Sequence, residues 1–140
     1  MSLLPPDILT IQTFHREHPL TSIIAVDEQT SLLAAKASEL LGLPHNSFES
    51  VQTASNKGLF RKCVNNAGLP SPGFKVIAPG QEVIALARIA DYPCVLKPVA
   101  RSASQGVIRV DNPNGFITAC ERITKLVPDE DIIVEDFLPG

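Results

Sequence analysis

From residue 54 onward, apolar residues change their spacing from one short segment to the next, and a Gly, a Pro or an Asn-Pro pair marks each change. Leu59, Phe60, Cys63, Val64 and Ala67 recur at helical intervals over 55–66 and face inward on that reading; Gly68 ends the run. Leu69-Pro70-Ser71-Pro72-Gly73 is a turn, and Phe74-Lys75-Val76-Ile77 reads as a strand. A helix over Gln81–Ala90 puts Val83, Leu86, Ala87 and Ala90 on one side. Pro93-Cys94-Val95-Leu96-Lys97 is a strand stopped by Pro98, and Val107-Ile108-Arg109-Val110 is another. Asn112-Pro113 opens a helix for a physical reason: Asn is a good N-cap, and Pro is pre-organised for the first helical position. Phe116, Ala119, Cys120, Ile123 and Val127 then follow at helical spacing. Ile132-Ile133-Val134-Glu135 is a last strand, left abruptly at Leu138-Pro139-Gly140. The order α, β, α, β, β, α, β predicts a mixed α/β (α+β) fold.

The first part of the chain reads differently. A weakly patterned helix over 6–18 starts at the Pro5-Pro6-Asp7 turn, and Ser22-Ile23-Ile24-Ala25-Val26-Asp27 reads as a buried strand. A helix over 30–41 carries the stripe Leu33, Ala37, Leu40 and Leu41, with Gly42 as its stop and Pro44 barring its resumption. Strand then helix resembles the last βα unit of a doubly wound, Rossmann-like sheet, whose partner strands are expected before residue 1. Residues 43–54 are a polar connection, so the expected domains are 1–50 and 51–140.

Hydrophobic residues at 44% and charged residues at 19% fit a globular chain with a core. The net charge of −3 is local: five acids fall within residues 129–140, and the other 128 residues carry a balance of +2. There is no basic field to attract nucleic acid and no apolar run long enough to span a membrane. Nor does a secretory signal pattern open the chain. Cys63, Cys94 and Cys120 lack ligand or redox spacing and read as reduced thiols in a cytoplasmic protein. His15 and His18 share a helix face without a third metal ligand, and no metal site is predicted.

Chemistry concentrates between Lys97 and Val107. A lysine near the end of an apolar strand is followed by the small-residue loop Arg101-Ser102-Ala103-Ser104-Gln105-Gly106. Such a loop can converge backbone N–H groups on an anion, with Ser102 and Ser104 adding hydroxyl donors and Lys97 a point charge. The alternative is a surface hairpin with a snorkelling lysine. The loop is not of the GxxxxGK[ST] type, because its lysine comes first and a strand follows. It is also poor in glycine, and Cβ atoms restrict positive φ. Lys57, in a first helical turn where the dipole disfavours a cation, is either a solvated lysine or an anion contact. Arg61 stands one turn on. Glu135 and Asp136 end a strand and, by alternation, point to opposite faces, which excludes a paired acid and base.

In order and spacing, the segments over residues 22–140 resemble the ATP-grasp superfamily of ATP-dependent ligases, near its carbamoyl-phosphate-synthase-like and biotin-carboxylase-like members. The resemblance runs through Val26-Asp27, Leu41-Gly42-Leu43-Pro44, Asn56-Lys57 with Arg61, and Ala67-Gly68-Leu69-Pro70. It continues in Tyr92-Pro93-Cys94-Val95-Leu96-Lys97-Pro98, Ser102 to Val107, and Val134-Glu135-Asp136-Phe137-Leu138-Pro139-Gly140. It implies the tail of a pre-ATP-grasp domain followed by the first, mostly antiparallel ATP-grasp subdomain. Lys57 and Lys97 would hold the α- and β-phosphates of ATP, and the loop with Ser102, Ser104, Gln105 and Gly106 would close over the β- and γ-phosphates. Glu135 would face the adenine amino group, while the Asp136 carbonyl and Leu138 amide, flanking Phe137, would bond the adenine edge. The resemblance also implies Mg²⁺ carboxylates beyond residue 140, so the chain is expected to be an excised piece that does not turn over ATP by itself. The parent would join a carboxylate and an amine, or carboxylate an acceptor, through an acyl phosphate. The alternative is a truncated, non-catalytic nucleotide-binding or interaction module that pairs as a homodimer or docks on a partner.

Overall fold

A computed structural model describes residues 6–139. Pro5, in the predicted opening turn, and Gly140 lie outside the described residues. The chain divides into two compact units, Met1–Ser55 and Asn56–Gly140.

In the first unit, α1 (Pro6–Glu17) is followed by α2 (Ser31–Leu41) and α3 (Phe48–Ser55). The entry to α2 is a side-chain turn in which Asp27 Oδ1 accepts from both the amide and the hydroxyl of Thr30, each at 2.8 Å. Its exit is the expected one. Gly42 adopts φ 64°, and the Gly42 and Leu43 amides donate to the carbonyls of Glu39 and Ser38 at 3.3 and 2.9 Å. Two expectations fail here. Ser22–Asp27 is not a strand, and Ile24 and Val26 are 82% and 93% exposed. An extended segment needs a neighbour for its N–H and C=O groups, and among the described residues this unit contains no strand. The polar connection over 43–54 is in part the helix α3. Ser47 caps it, its hydroxyl accepting from the Ser50 amide at 3.1 Å while its carbonyl takes the Val51 amide at 3.1 Å.

The second unit is a four-stranded antiparallel sheet with helices. Its elements are α4 (Lys57–Asn66), β1 (Phe74–Ile77), α5 (Val83–Ile89), β2 (Cys94–Pro98), β3 (Ile108–Val110), α6 (Pro113–Leu126) and β4 (Ile132–Asp136). The strand order is β1-β4-β2-β3, so the last strand inserts between β1 and β2. The mixed α/β class and the mostly antiparallel sheet are both present, in the predicted element order.

The core covers one face of this sheet. Cys94 and Leu96 of β2, Ile77 of β1, Val110 of β3 and Ile132 of β4 pack against Ala87 of α5 and Phe116, Ala119, Cys120 and Ile123 of α6. Asn112 caps α6 as its type predicts, its side chain accepting from the Gly115 amide at 2.9 Å with Pro113 at the first helical position. Side chains alternate along a strand. Val76, Lys97, Ile133 and Glu135 are therefore on the opposite face, the one bearing the candidate residues.

Candidate functional site

The register of the two central strands brings the first pair together. In the β2–β4 ladder Val95 lies opposite Glu135 and Lys97 opposite Ile133, so Lys97 and Glu135 are diagonal neighbours on one face. Lys97 Nζ donates to Glu135 Oε2 at 2.7 Å. A second cation arrives from α4. Arg61 Nε donates to Glu135 Oε1 at 2.7 Å, and its terminal nitrogen to Oε2 at 3.3 Å. The Glu135 side chain is only 6% exposed, against 24% for Arg61 and 18% for Lys97.

A carboxylate this deep is tolerated because it is paired. Burial pushes the Glu135 pKa upward, but the hydrogen bonds and charges of Arg61 and Lys97 together outweigh it and hold the group below its ordinary value of 4.5. The cluster of one anion and two cations carries a net positive charge in a partly dry setting.

This pairing explains how α4 is turned. Sequence spacing puts Leu59, Phe60, Cys63, Val64 and Ala67 inward. The structure instead buries Gly58 and half-buries Arg61 and Val64, leaving Leu59, Phe60, Cys63 and Ala67 exposed, with Phe60 at 46%. The 58–61–64 line faces the sheet because the buried carboxylate requires a cation there. Gly58 permits the approach: a Cβ on it would stand 3.1 Å from Val76 Cγ2. Arg61 stands one turn after Lys57 in the sequence, yet no local signal assigns it to Glu135, 74 residues away.

The first turn of α4 is tied to the segment that leaves β2. Asn56 caps the helix through Oδ1, which accepts from the Leu59 amide at 3.0 Å. The Lys57 amide donates to the Val99 carbonyl at 2.9 Å, and the Lys57 ammonium donates to the Arg101 carbonyl. Lys57 is thus held at the threshold of the 101–106 loop.

Ser102, Ala103, Ser104 and Gln105 are exposed. The loop closes through the Gln105 amide on the Ser102 carbonyl at 3.2 Å and the Val107 amide on the Ser104 carbonyl at 3.3 Å. Although few residues in it are glycine, Ala103 and Ser104 both take left-handed backbone, with φ of 52° and 58°. Each such residue costs about 1–2 kcal/mol, so the tight double turn is held at a penalty. Gly106, φ 75°, is required, since a Cβ there would lie 3.0 Å from the Pro98 ring. Arg101 anchors the loop's start by an ion pair with Glu130 at 2.9 Å. A cleft of about 520 Å³ lies on the far side of the loop, against Arg122, Lys125 and Leu126 of α6, with Ser104 and Gly106 in its wall but not Lys97.

The strand end separates the remaining candidates. Asp136 turns away from Glu135, as alternation requires, and its Oδ2 accepts from the Gly73 amide at 2.8 Å. Phe137 is half-buried under the Arg109 guanidinium, 4.1 Å from the ring centroid, and its amide donates to the Pro93 carbonyl at 3.2 Å. Leu138 is exposed. Lys97 and Glu135 therefore meet directly and Lys57 joins the loop, while the Asp136–Leu138 segment runs out from the same strand. Among the described residues no group of three or more His, Cys, Asp or Glu side chains is placed to hold a metal ion. No helix among them is long and apolar enough to cross a membrane.

The sequence signature of the ATP-grasp domain matches residues 90–140, which span β2, the loop, α6 and β4. The carbamoyl phosphate synthase large chain of Xylella fastidiosa strain 9a5c is 37% identical over 84 residues, covering 59% of this chain and 8% of that protein. Its counterpart from Thermotoga petrophila is 25% identical over 134 residues, covering 94% of this chain. The matched part of the chain spans 8% and 12% of the length of these two relatives. Among solved structures, the L-amino acid ligase of Bacillus licheniformis superposes with a TM-score of 0.76 and 26% identity, over 95% of this chain and 30% of that one. The biotin carboxylase domain of the Hydrogenobacter thermophilus 2-oxoglutarate carboxylase, solved with MgADP and bicarbonate, shares the fold at a TM-score of 0.75 and 16% identity, over 99% of this chain and 34% of that one.

Proposed function

Because this chain belongs to the ATP-grasp superfamily, we propose that its second unit is the first ATP-grasp subdomain and grips an adenine nucleotide for an ATP-dependent ligase or carboxylase-like enzyme. The observation that carries this reading is a lysine on each of two elements that adjoin the loop, the strand that leads into it and the helix bonded to its start. Lys97 rises from β2 beside Glu135, and Lys57 is bonded to the Arg101 carbonyl where the loop begins.

Two ammonium groups and the amides of a tight turn are the donors that a diphosphate's oxygens require. Lys97 and Lys57 bind the α- and β-phosphates, and the loop with Ser102, Ser104, Gln105 and Gly106 covers the β- and γ-phosphates. The Asp136 carbonyl and Leu138 amide, flanking Phe137, meet the adenine edge. Glu135, kept ionised, is an acceptor only and suits the adenine amino group. Bound ATP supplies a transferable phosphoryl group that activates a carboxylate. This chain's residues position it and neutralise its charge.

Isothermal titration of the 140-residue chain with ATP and GTP tests the reading. Binding of ATP in preference to GTP, weakened about tenfold or more by Lys97→Ala and by Lys57→Ala, is expected for loss of one charge-assisted phosphate contact. Absence of ATP binding at millimolar concentration, or indifference to both substitutions, overturns it.

A further inference from the structure

We propose that Arg61 is a positioning residue that frees Lys97 for a nucleotide phosphate, by remaining on Glu135 as its counter-ion when Lys97 withdraws. The inference rests on the nucleotide reading above and concerns how its central lysine becomes available.

Three observations carry it. The Glu135 carboxylate is buried, so it cannot be left without a cation. The contacts are unequal: Arg61 reaches both oxygens, at 2.7 and 3.3 Å, whereas Lys97 reaches Oε2 alone at 2.7 Å. If Lys97 leaves, each oxygen still has a donor from Arg61; if Arg61 leaves, Oε1 loses its guanidinium partner.

The mountings differ as well. Arg61 presents a rigid planar fork from a helix whose first turn is fixed by the Lys57 amide on Val99 and the close approach of Gly58 to Val76. Lys97 carries a point charge on a flexible stem. One cation is built to stay and the other to move. Without Arg61, any phosphate must compete with Glu135 for Lys97.

Calorimetric titration of the 140-residue chain with adenosine and with ADP isolates the phosphate-dependent part of affinity as the ratio of the two Kd values. Arg61→Gln should lower that ratio about tenfold or more, the loss of one charge-assisted contact to phosphate. Arg61→Lys should recover part of it, since charge is kept but the fork is lost. Arg61→Gln combined with Glu135→Gln should restore the ratio, because Lys97 then has no buried charge to neutralise. The Lys and double variants keep the test decisive where Arg61→Gln alone fails to fold. An unmoved ratio in Arg61→Gln, or a double variant as poor as the single one, overturns the inference; so does equal weakening of both ligands, the mark of a purely structural arginine. A wild-type chain that binds neither ligand overturns the nucleotide reading along with it. One that binds both with an unmoved ratio in Arg61→Gln overturns the inference alone.

Discussion

Gly73 and Asp136 hold each other by two reciprocal hydrogen bonds: the Gly73 amide donates to Asp136 Oδ2 at 2.8 Å, and the Asp136 amide donates to the Gly73 carbonyl at 3.0 Å. They extend the β1–β4 pairing by one step beyond the Phe74–Glu135 register and fix where the strand releases Phe137 and Leu138. The carboxylate of Asp136 thereby serves the backbone on one face while that of Glu135 serves two cations on the other.

Gly73→Ala should disturb this end of the strand, because an added Cβ would stand 2.6 Å from Asp136 Oδ2. The carboxylate can swing aside only by giving up the Gly73 amide, at about 1–2 kcal/mol. In an Asp136→Ala background the clash is gone, so the same substitution should cost clearly less. Urea unfolding of the two single variants and the double variant measures this coupling. Additive losses would contradict it.

Asn112→Ala should lower stability by about 1 kcal/mol, the value of an N-cap, and Asn112→Ser should retain most of it. The helix it starts supplies four of the fully covered core residues, Phe116, Ala119, Cys120 and Ile123, so the loss should appear in the global unfolding transition. Asn56→Ala removes a cap of the same kind from α4. Its loss should also weaken nucleotide binding, because α4 carries Lys57 and Arg61, whereas Asn112→Ala should leave the intrinsic affinity alone.

The pH dependence follows from Glu135. Its folded-state pKa lies below 4.5, so folding favours the ionised form. The stabilisation is whole above the ordinary value and drains away as pH falls through the lower, folded-state value. Asp27 and Glu39 shift in the same direction, through hydrogen bonds from Thr30 and from Lys36, but both are at the surface, where solvent screens them. Denaturation curves from pH 7 down to pH 3 should show stability falling below about 4.5. Glu135→Gln should start from a lower stability at pH 7 and show a shallower acid decline. An unchanged decline would mean the triad is not coupled to folding.

Alkylation of the native chain at pH 8 should mark Cys63 and spare the other two cysteines. Cys63 is exposed, whereas Cys94 and Cys120 are buried. Burial, reinforced for Cys94 by the charge of Asp136 and for Cys120 by neighbouring Cys94, pushes both thiols up to about 11. Mass spectrometry should find one label on the folded chain and three in urea. Early labelling at position 120 would contradict the packing of α6 on the sheet.

What could be read from the chain alone is what short-range chemistry controls. Asn112-Pro113 starts α6 and Gly42 ends α2 because capping and left-handed backbone are settled within four residues. The alternation of β4 likewise separates Glu135 from Asp136 without reference to any partner. Local chemistry also misleads where its signal is partial. Ser47 caps α3 in a stretch that reads as polar linker, and the apolar run Ile23–Val26 has the composition of a strand but, among the described residues of its unit, no strand beside it.

Long-range pairing settles the rest. Leu59, Phe60 and Cys63 look inward by spacing, yet α4 presents Arg61 to the sheet, because a buried carboxylate 74 residues later outweighs the preference of a few apolar side chains. The same is true of the strand order: β4 comes last in the chain and sits between β1 and β2, and this insertion places Glu135 diagonally from Lys97. Periodicity reports which faces exist. Which charge fills each of them depends on residues that meet only when the sheet closes, since desolvation makes an unpaired charge costly only once it is buried.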